Sequence, residues 1–379
     1  MSKDWIRGTA FSSRDAGFTF GYIAATSYSW IERRALPLVR LGRGEPRAAE
    51  YDMVHSLNWP HDQMFLSSSR RDELTGACRE AFVATCRRLH IDTDLTGQLT
   101  TMYLPLAAWL MHKRSAQAPP LVVGLTGGQG SGKSTVCELL KSVMRDAFDA
   151  GAASLSIDDI YKSHQARQRM SREVQPLFAT RGVPGTHDVD LGIAAIERLK
   201  AQPADGATPL PAFDKATDDR MPESQWPVCE GAVDFIIFEG WCVGALPQPA
   251  ASLSEPINEL ERKEDSDCVW RNIVNRALED EYRRLFGLID VQLMLKVDSM
   301  ERVFEWRRLQ EHKLKAKMAR SGADAGELKL MSDAEVDRFI MHYERITRHM
   351  LEEMPDRADI VFFLDHTHSA ASMRINRPL

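Results

Sequence analysis

Five short apolar runs, separated by stretches of helical period, organise the chain. The first lies in LVVGLTGGQGSGKSTVCELL, residues 121 to 140, where a strand gives way to glycines and then to a helix carrying Val136, Leu139, Leu140 and Val143. The second, AASLSIDDIYK, stays apolar to residue 157, and the third, DFIIFEG, ends at Glu239. The fourth, DVQLMLKV, runs to Val297, and the fifth, ADIVFFL, runs to Leu364. Strands covered on both faces read as continuous apolar runs, and their alternation with helices is the signature of a parallel sheet with right-handed crossovers. The pattern predicts an α/β fold, doubly wound, with a mostly parallel five-stranded sheet, a helical lid and an N-terminal helical extension.

Residues 1 to about 66 show no period that predicts an element. Leu74, Ala77, Cys78, Ala81, Phe82 and Leu89 then fall at helical spacing and predict a helix over 70–90. A second helical pattern runs through Leu99, Met102, Tyr103, Leu106, Leu110 and Met111, which Pro105 should kink or restart. The extension therefore spans 1–118 and the main domain 119–379, joined by the connector HKRSAQAPP. Within the main domain, residues 162–232 form a long turn-rich insert dense in Arg, His, Asp and Lys, and loops of that length in a packed domain usually serve function. Asp298 with Glu301, and Ser332 with Glu335, have the spacing of capping boxes for two helices. The first carries Val303, Trp306 and Leu309, the second Val336, Phe339, Ile340, Tyr343 and Ile346; joined by RSGADAGELKLMSD they make a lid over about 302–335.

The glycine loop supplies the first chemistry. Gly127, four residues, Gly132, Lys133 and Ser134 satisfy G-x-x-x-x-G-K-[ST], so Gly127 to Thr135 (Gly128, Gln129, Gly130 and Ser131 included) form a nucleotide phosphate cradle. Gly127, Gly130 and Gly132 let successive N–H groups turn inward, and the helix starting near Lys133 adds its positive dipole end. Lys133 reaches the β and γ phosphates, Ser134 offers a hydroxyl to Mg²⁺, and Thr135 caps or packs. Asp158 and Asp159 follow the second strand at its carboxyl end, where open α/β sheets carry their chemistry. Either carboxylate can act as base toward an acceptor hydroxyl. Asp158, directly at the strand end, is the choice, with Asp159 a cap or solvated residue. Glu239 suits a carboxylate on Mg²⁺ or its water, or else an ion pair at a strand end.

Composition narrows the classes. With 379 residues and 44% apolar content the chain can bury a full core, and 48 basic against 54 acidic residues, a net charge of −6, give no general attraction to nucleic acid or anionic membrane. Six cysteines without C-x-x-C or finger spacing read as reduced thiols. MSKDWIRG leads into no apolar signal region and no run reaches the roughly 20 residues of a membrane span, so a cytoplasmic protein is expected. His366 and His368 form an H-x-H with no evident third ligand, and a metal site there is set aside.

The phosphate loop, the D-D-x-Y after the second strand, PLFATRGVPGTHD, LPAFDKATDDR, FEGWCVGA and HYERITR occur in the order that resembles the D-glycerate 3-kinase family. That family is related to uridine kinase, phosphoribulokinase and pantothenate kinase. The resemblance covers roughly residues 95 to 370, with Ile160 standing where the family pattern has Phe. It implies a P-loop kinase domain over 119–379 and ATP- and Mg²⁺-dependent phosphorylation of D-glycerate to 3-phosphoglycerate. By the same resemblance Asp158 activates the acceptor hydroxyl, Glu239 is the acid of the Walker-B-like strand, and Arg307 or Arg308 is the lid arginine that meets phosphate. Tyr161, Arg181, His187, Asp188, Lys215 and Arg220 complete the substrate-binding set; Arg181, Lys215 and Arg220 are the cations for a carboxylate, or else salt-bridge partners. Lys313, Lys315, Lys317 and Arg320 read as a solvated face, Tyr343 as core, and Arg345 and Arg348 as residues that can face the nucleotide. Kinase action on a nucleoside or pantothenate, and slow ATP hydrolysis by a nucleotide-dependent regulator, are the alternatives.

Overall fold

The computed structural model describes residues 57, 59, 66–91, 93–114, 119–321 and 331–377. The N-terminal stretch without sequence period, before residue 57, and residues 322–330 of the lid connector lie outside them. All the described residues belong to one unit, Tyr51–Leu379.

The five expected strands are β1 (Leu121–Gly127), β2 (Ala152–Ser156), β3 (Phe235–Gly240), β4 (Val291–Lys296) and β5 (Ile360–Leu364). A sixth, β6 (Ala370–Ile375), was not foreseen. It lies antiparallel to β5 at the sheet edge, in the order β6-β5-β4-β1-β3-β2, with every other pair parallel. Its sequence, AASMRI, lacks both a continuous apolar run and clean alternation because it is only half-buried, so its pairing comes from the neighbouring strand rather than its own pattern.

Side chains alternate across the sheet, as period two requires. Val122, Ile236 and Phe238 face one core; Val123, Leu125, Phe235 and Ile237 face the other. The second core is closed by α1 (Ser68–Arg88), α2 (Leu104–Lys113) and α3 (Lys133–Phe148), through Phe82, Trp109, Leu139 and Leu140 among others. A π-helical turn, Leu99–Tyr103, runs directly into α2, and Pro105 follows it in the first α-helical turn, where the wider π turn makes room for the ring. The first core is covered by α5 (Val189–Ala201), α7 (Val269–Glu279) and α8 (Glu281–Phe286), with α4 (His164–Glu173) and α6 (Glu259–Glu264) in the intervening segments. The insert contains two short antiparallel pairs, Ala207–Pro209 with Val228–Glu230, and Phe213–Asp214 with Asp219–Arg220.

The lid helices, α9 (Met300–Ser321) and α10 (Asp333–Glu353), share a small cluster of Val297, Met300, Val303, Trp306, Val336 and Ile340. Ser332 and Glu335 form the expected capping box. Asp298 and Glu301 do not have that register: α9 begins at Met300, which puts Glu301 at its second position, while Asp298 faces Arg302 at 3.5 Å.

Register places the site. Glu239 pairs with Leu125 on one side and with Ser156 on the other, so β1, β2 and β3 end at one level. The chain leaves β1 toward one side of the sheet and β4 toward the other, and a crevice opens where neighbouring connections diverge.

Candidate active site

Gly130 and Gly132 adopt φ of 81° and 86°, the left-handed region that glycine enters without cost, and these turns lead the loop into the N-terminus of α3. A Cβ on Gly127 would lie 2.7 Å from the Ser131 hydroxyl, and one on Gly130 2.9 Å from Cβ of Trp306. The glycines are therefore demanded by packing as well as by conformation. Lys133 Nζ donates to the carbonyls of Gly127 (2.9 Å) and Gly128 (3.1 Å), which holds it across the loop, and burial lowers its pKa. Ser134 Oγ donates to Glu239 Oε1 at 2.9 Å. A hydroxyl and a carboxylate oxygen in contact at a helix N-terminus are a hard-oxygen donor set, which fits a Mg²⁺ ion that takes its other ligands from phosphate and water.

Asp158 lies in the 3₁₀ turn Ile157–Ile160 that follows β2, its backbone N–H donating to Ser156 Oγ. Tyr161 Oη donates to its Oδ1 at 2.7 Å and Lys215 Nζ to its Oδ2 at 2.8 Å. Burial pushes the Asp158 carboxyl up, but the Lys215 charge and the two hydrogen bonds outweigh it and hold the group at about 2. Asp159 goes the other way: burial, and then the charge of Asp158, push it up to about 6. The two neighbours thus differ in acidity because Lys215 and Tyr161 bond directly to Asp158, whereas Asp159 is buried beside the Asp158 charge.

A cavity of about 540 Å³ joins these parts. Gln129, Gly130, Gly132, Lys133, Ser134 and Thr135 line one wall, Asp158, Tyr161, Arg181, Lys215 and Glu239 the second, and Trp306, Arg307, Gln310 and Lys313 of α9 the third. Arg181 pairs with Asp218 and lies over the Phe213 ring. Arg307 is held by Glu311 at 3.0 Å and lies over Phe339. Arg308 turns away, donating twice to Asp337 at 2.8 and 2.6 Å. Of the two lid arginines, only Arg307 lines the cavity.

No family model matches the chain. It is 32% identical over 248 residues to an uncharacterized kinase of Schizosaccharomyces pombe, a match spanning 62% of this chain and 82% of that protein. It is 30% identical over 264 residues to the chloroplastic D-glycerate 3-kinase of Arabidopsis thaliana, spanning 65% of this chain and 53% of that longer relative. This chain belongs to the P-loop kinase family that includes D-glycerate 3-kinase. The solved D-glycerate 3-kinase from Cryptococcus neoformans var. grubii, 22% identical, superimposes with a TM-score of 0.57 over 82% of this chain and 99% of that one, which shows the shared fold. The kinase is thus a phosphotransferase of the ATP-dependent P-loop class. No helix among its described residues is long and apolar enough to cross a membrane.

Several polar residues expected in this kinase's substrate site lie behind the cavity rather than in it. His187 is fully buried, stacked on the Tyr161 ring at 4.5 Å, with Nδ1 on the Tyr282 hydroxyl, and burial pushes its imidazole down to about 3. Asp188 is the N-cap of α5, accepting from Leu191 N–H, and it pairs with Arg220 at 3.0 Å. Arg220 also donates to the Tyr161 carbonyl at 2.9 Å. These three brace Tyr161 and, through it, Asp158. Arg345 does not face the cavity either: it is buried in a two-pronged pair with Glu261, while Arg348 pairs with Glu344. A guanidinium that deep must be matched by a carboxylate, which Glu261 supplies.

Conversely, Lys313 and His368 line the cavity, although their sequence patterns read as a solvated face and an empty H-x-H. Among the described residues no cluster of three or more His, Cys, Asp or Glu could hold a metal. His368 instead stacks on Trp306 at 3.9 Å. The spacing Trp306, Leu309, Gln310, Lys313 is one face of a helix and was the available signal for Lys313. His368 had none, because it reaches the phosphate loop only through the turn between β5 and β6.

Proposed function

We propose that the protein is a glycerate 3-kinase, transferring the γ-phosphoryl group of ATP to the 3-hydroxyl of D-glycerate with Mg²⁺ as the required ion. The observation that carries this reading is a strand-end aspartate paired with Lys215, with Arg181 nearby, in the same cavity that the phosphate loop lines. Asp158, Arg181 and Lys215 occupy the wall facing Lys133 and Ser134, in a cavity about the size of a small-molecule site. A hydroxy acid can place its carboxylate on Arg181 and Lys215 and its hydroxyl at Asp158. The resemblance to D-glycerate 3-kinase motifs and the relative of that name support the choice among hydroxy acids.

In this reading the phosphate loop's N–H groups and Lys133 bind the β and γ phosphates, and Ser134 with Glu239 holds the magnesium site. A Mg²⁺ ion held by those two residues would supply charge neutralisation for the phosphates. Asp158 accepts the proton of the acceptor hydroxyl, and Arg307 brings a planar cation from the lid to the transferring group. Tyr161, braced by His187 and Arg220, fixes the carboxylate that takes the proton. A coupled ADP-release assay across D-glycerate, L-glycerate, uridine and pantothenate tests the assignment; turnover is expected with D-glycerate, and a preference for uridine or pantothenate would overturn it.

A further inference from the structure

The base of this site is clamped. Both oxygens of Asp158 are taken, one by Tyr161 and one by Lys215, at 2.7 and 2.8 Å. The two partners differ in freedom. Tyr161 is buried and held edge-on by Phe213 and face-on by His187. Lys215 has 60% of its side chain exposed and stands on a turn pinned by Asp214, which accepts from Ala216 N–H at 2.9 Å and Thr217 Oγ1 at 2.8 Å. The turn is fixed while the lysine side chain can swing.

We propose that Lys215 is an acceptor-released clamp: it covers Asp158 Oδ2 until a negatively charged acceptor draws the ammonium away, so that the enzyme selects anionic over neutral alcohols and suppresses transfer to water. This rests on the reading of Asp158 as the base. Arg181 is released at little cost in the same step, because its partner Asp218 is also held by buried Arg167 at 3.0 Å and by His164 at 3.1 Å. The acceptor's carboxylate thus meets two cations whose departure uncovers one carboxylate and leaves the other still paired. The uncovered Oδ2 takes the hydroxyl proton as the acceptor oxygen bonds to the γ-phosphorus, and the bond from that phosphorus to the bridging oxygen breaks to leave ADP. The acidity of Asp158 agrees: against burial, Lys215 is the main influence keeping the carboxyl far below the range of a working base at neutral pH.

The test compares ADP release by wild type and Lys215→Met with water alone, with D-glycerate, and with glycerol, in which a neutral CH₂OH replaces the carboxylate. Wild type should prefer D-glycerate over glycerol by roughly a hundredfold or more in kcat/KM and hydrolyse ATP slowly without acceptor. The variant should hydrolyse ATP several-fold faster with water alone, and its preference should shrink to within about tenfold. Lys215→Arg, which keeps the charge, should hydrolyse ATP with water alone more slowly than Lys215→Met does. An acceptor-free rate in Lys215→Met equal to or below wild type, or an unchanged preference, overturns the clamp. Should wild type ignore D-glycerate, the substrate assignment fails, while the acceptor-free comparison still decides the clamp. Lys215 is exposed, and an unchanged Tm confirms that the variant is folded.

Discussion

Replacing Gly182 by alanine probes how the insert is seated against the lid. Gly182 has φ of +134°, and a Cβ there would lie 2.0 Å from the hydroxyl oxygen and 2.4 Å from Cζ of Tyr343. Contact distances of about 3.5 Å require one side to move by more than an ångström. Tyr343 cannot give way, because its ring packs against Trp241 at 4.8 Å and Phe339 at 4.9 Å. The loop must lift instead, breaking Tyr343 Oη to Arg181 O at 3.0 Å and Trp241 Nε1 to Gly182 O at 2.9 Å. Two hydrogen bonds at about 1 kcal/mol each, with about 1 to 2 kcal/mol for the backbone conformation, put the loss near 3 to 4 kcal/mol. Urea denaturation reads this directly. Since Arg181 travels with Gly182, the acceptor KM should rise about tenfold or more, while ATP binding, which rests on a loop the change does not touch, should stay within twofold. Gly182→Ala with wild-type stability and an unchanged acceptor KM would refute the seating.

Asp158→Asn should fold normally and lose roughly 10² to 10⁴ in kcat, the worth of a positioned base, so wild-type turnover would remove Asp158 from that role. Lys133→Ala should abolish ATP-dependent turnover, and appreciable residual kcat in steady-state assays would show that the loop is not catalytic. The two lid arginines should separate: Arg307→Ala is expected to cut kcat by about a hundredfold. Arg308→Ala, which breaks a partly exposed pair with Asp337, should leave kcat nearly unchanged and cost at most about 1 kcal/mol in denaturation. Asp159 has a folded pKa of about 6, above the roughly 4 of an unfolded chain, so its ionisation penalises the fold progressively as pH rises between those values. Asp159→Asn should therefore stabilise the protein above pH 6 relative to wild type and lose that advantage toward pH 4, read as Tm against pH.

What the amino-acid sequence determined by itself is what is local. The phosphate loop is a contiguous stretch whose glycine conformations, lysine and serine act within nine residues, and it reads without knowledge of any neighbour. Strands β1 to β5 are legible for a related reason, since burial on both faces writes an unbroken apolar run. Asp158 and Glu239 were marked by ending such runs. Which polar side chains look into the cavity was decided by tertiary structure alone. Arg307 and Arg308 are chemically identical neighbours pointing about 100° apart on one helix, and the packing of α9 against α10 decides which of them meets the cavity and which meets Asp337. His187, Asp188 and Arg220 belong to the same motifs as Arg181 and Lys215, yet they brace Tyr161 from behind, because a buried aromatic ring needs packing on its far side. Arg345 has the sequence of a surface helix residue and the position of a core one. The antiparallel β6 strand carries too little apolar period to announce itself, and the turn before it alone brings His368 to Trp306. A side chain's chemistry is written in its own residue; the direction it faces is set by elements distant in the chain that must first pack.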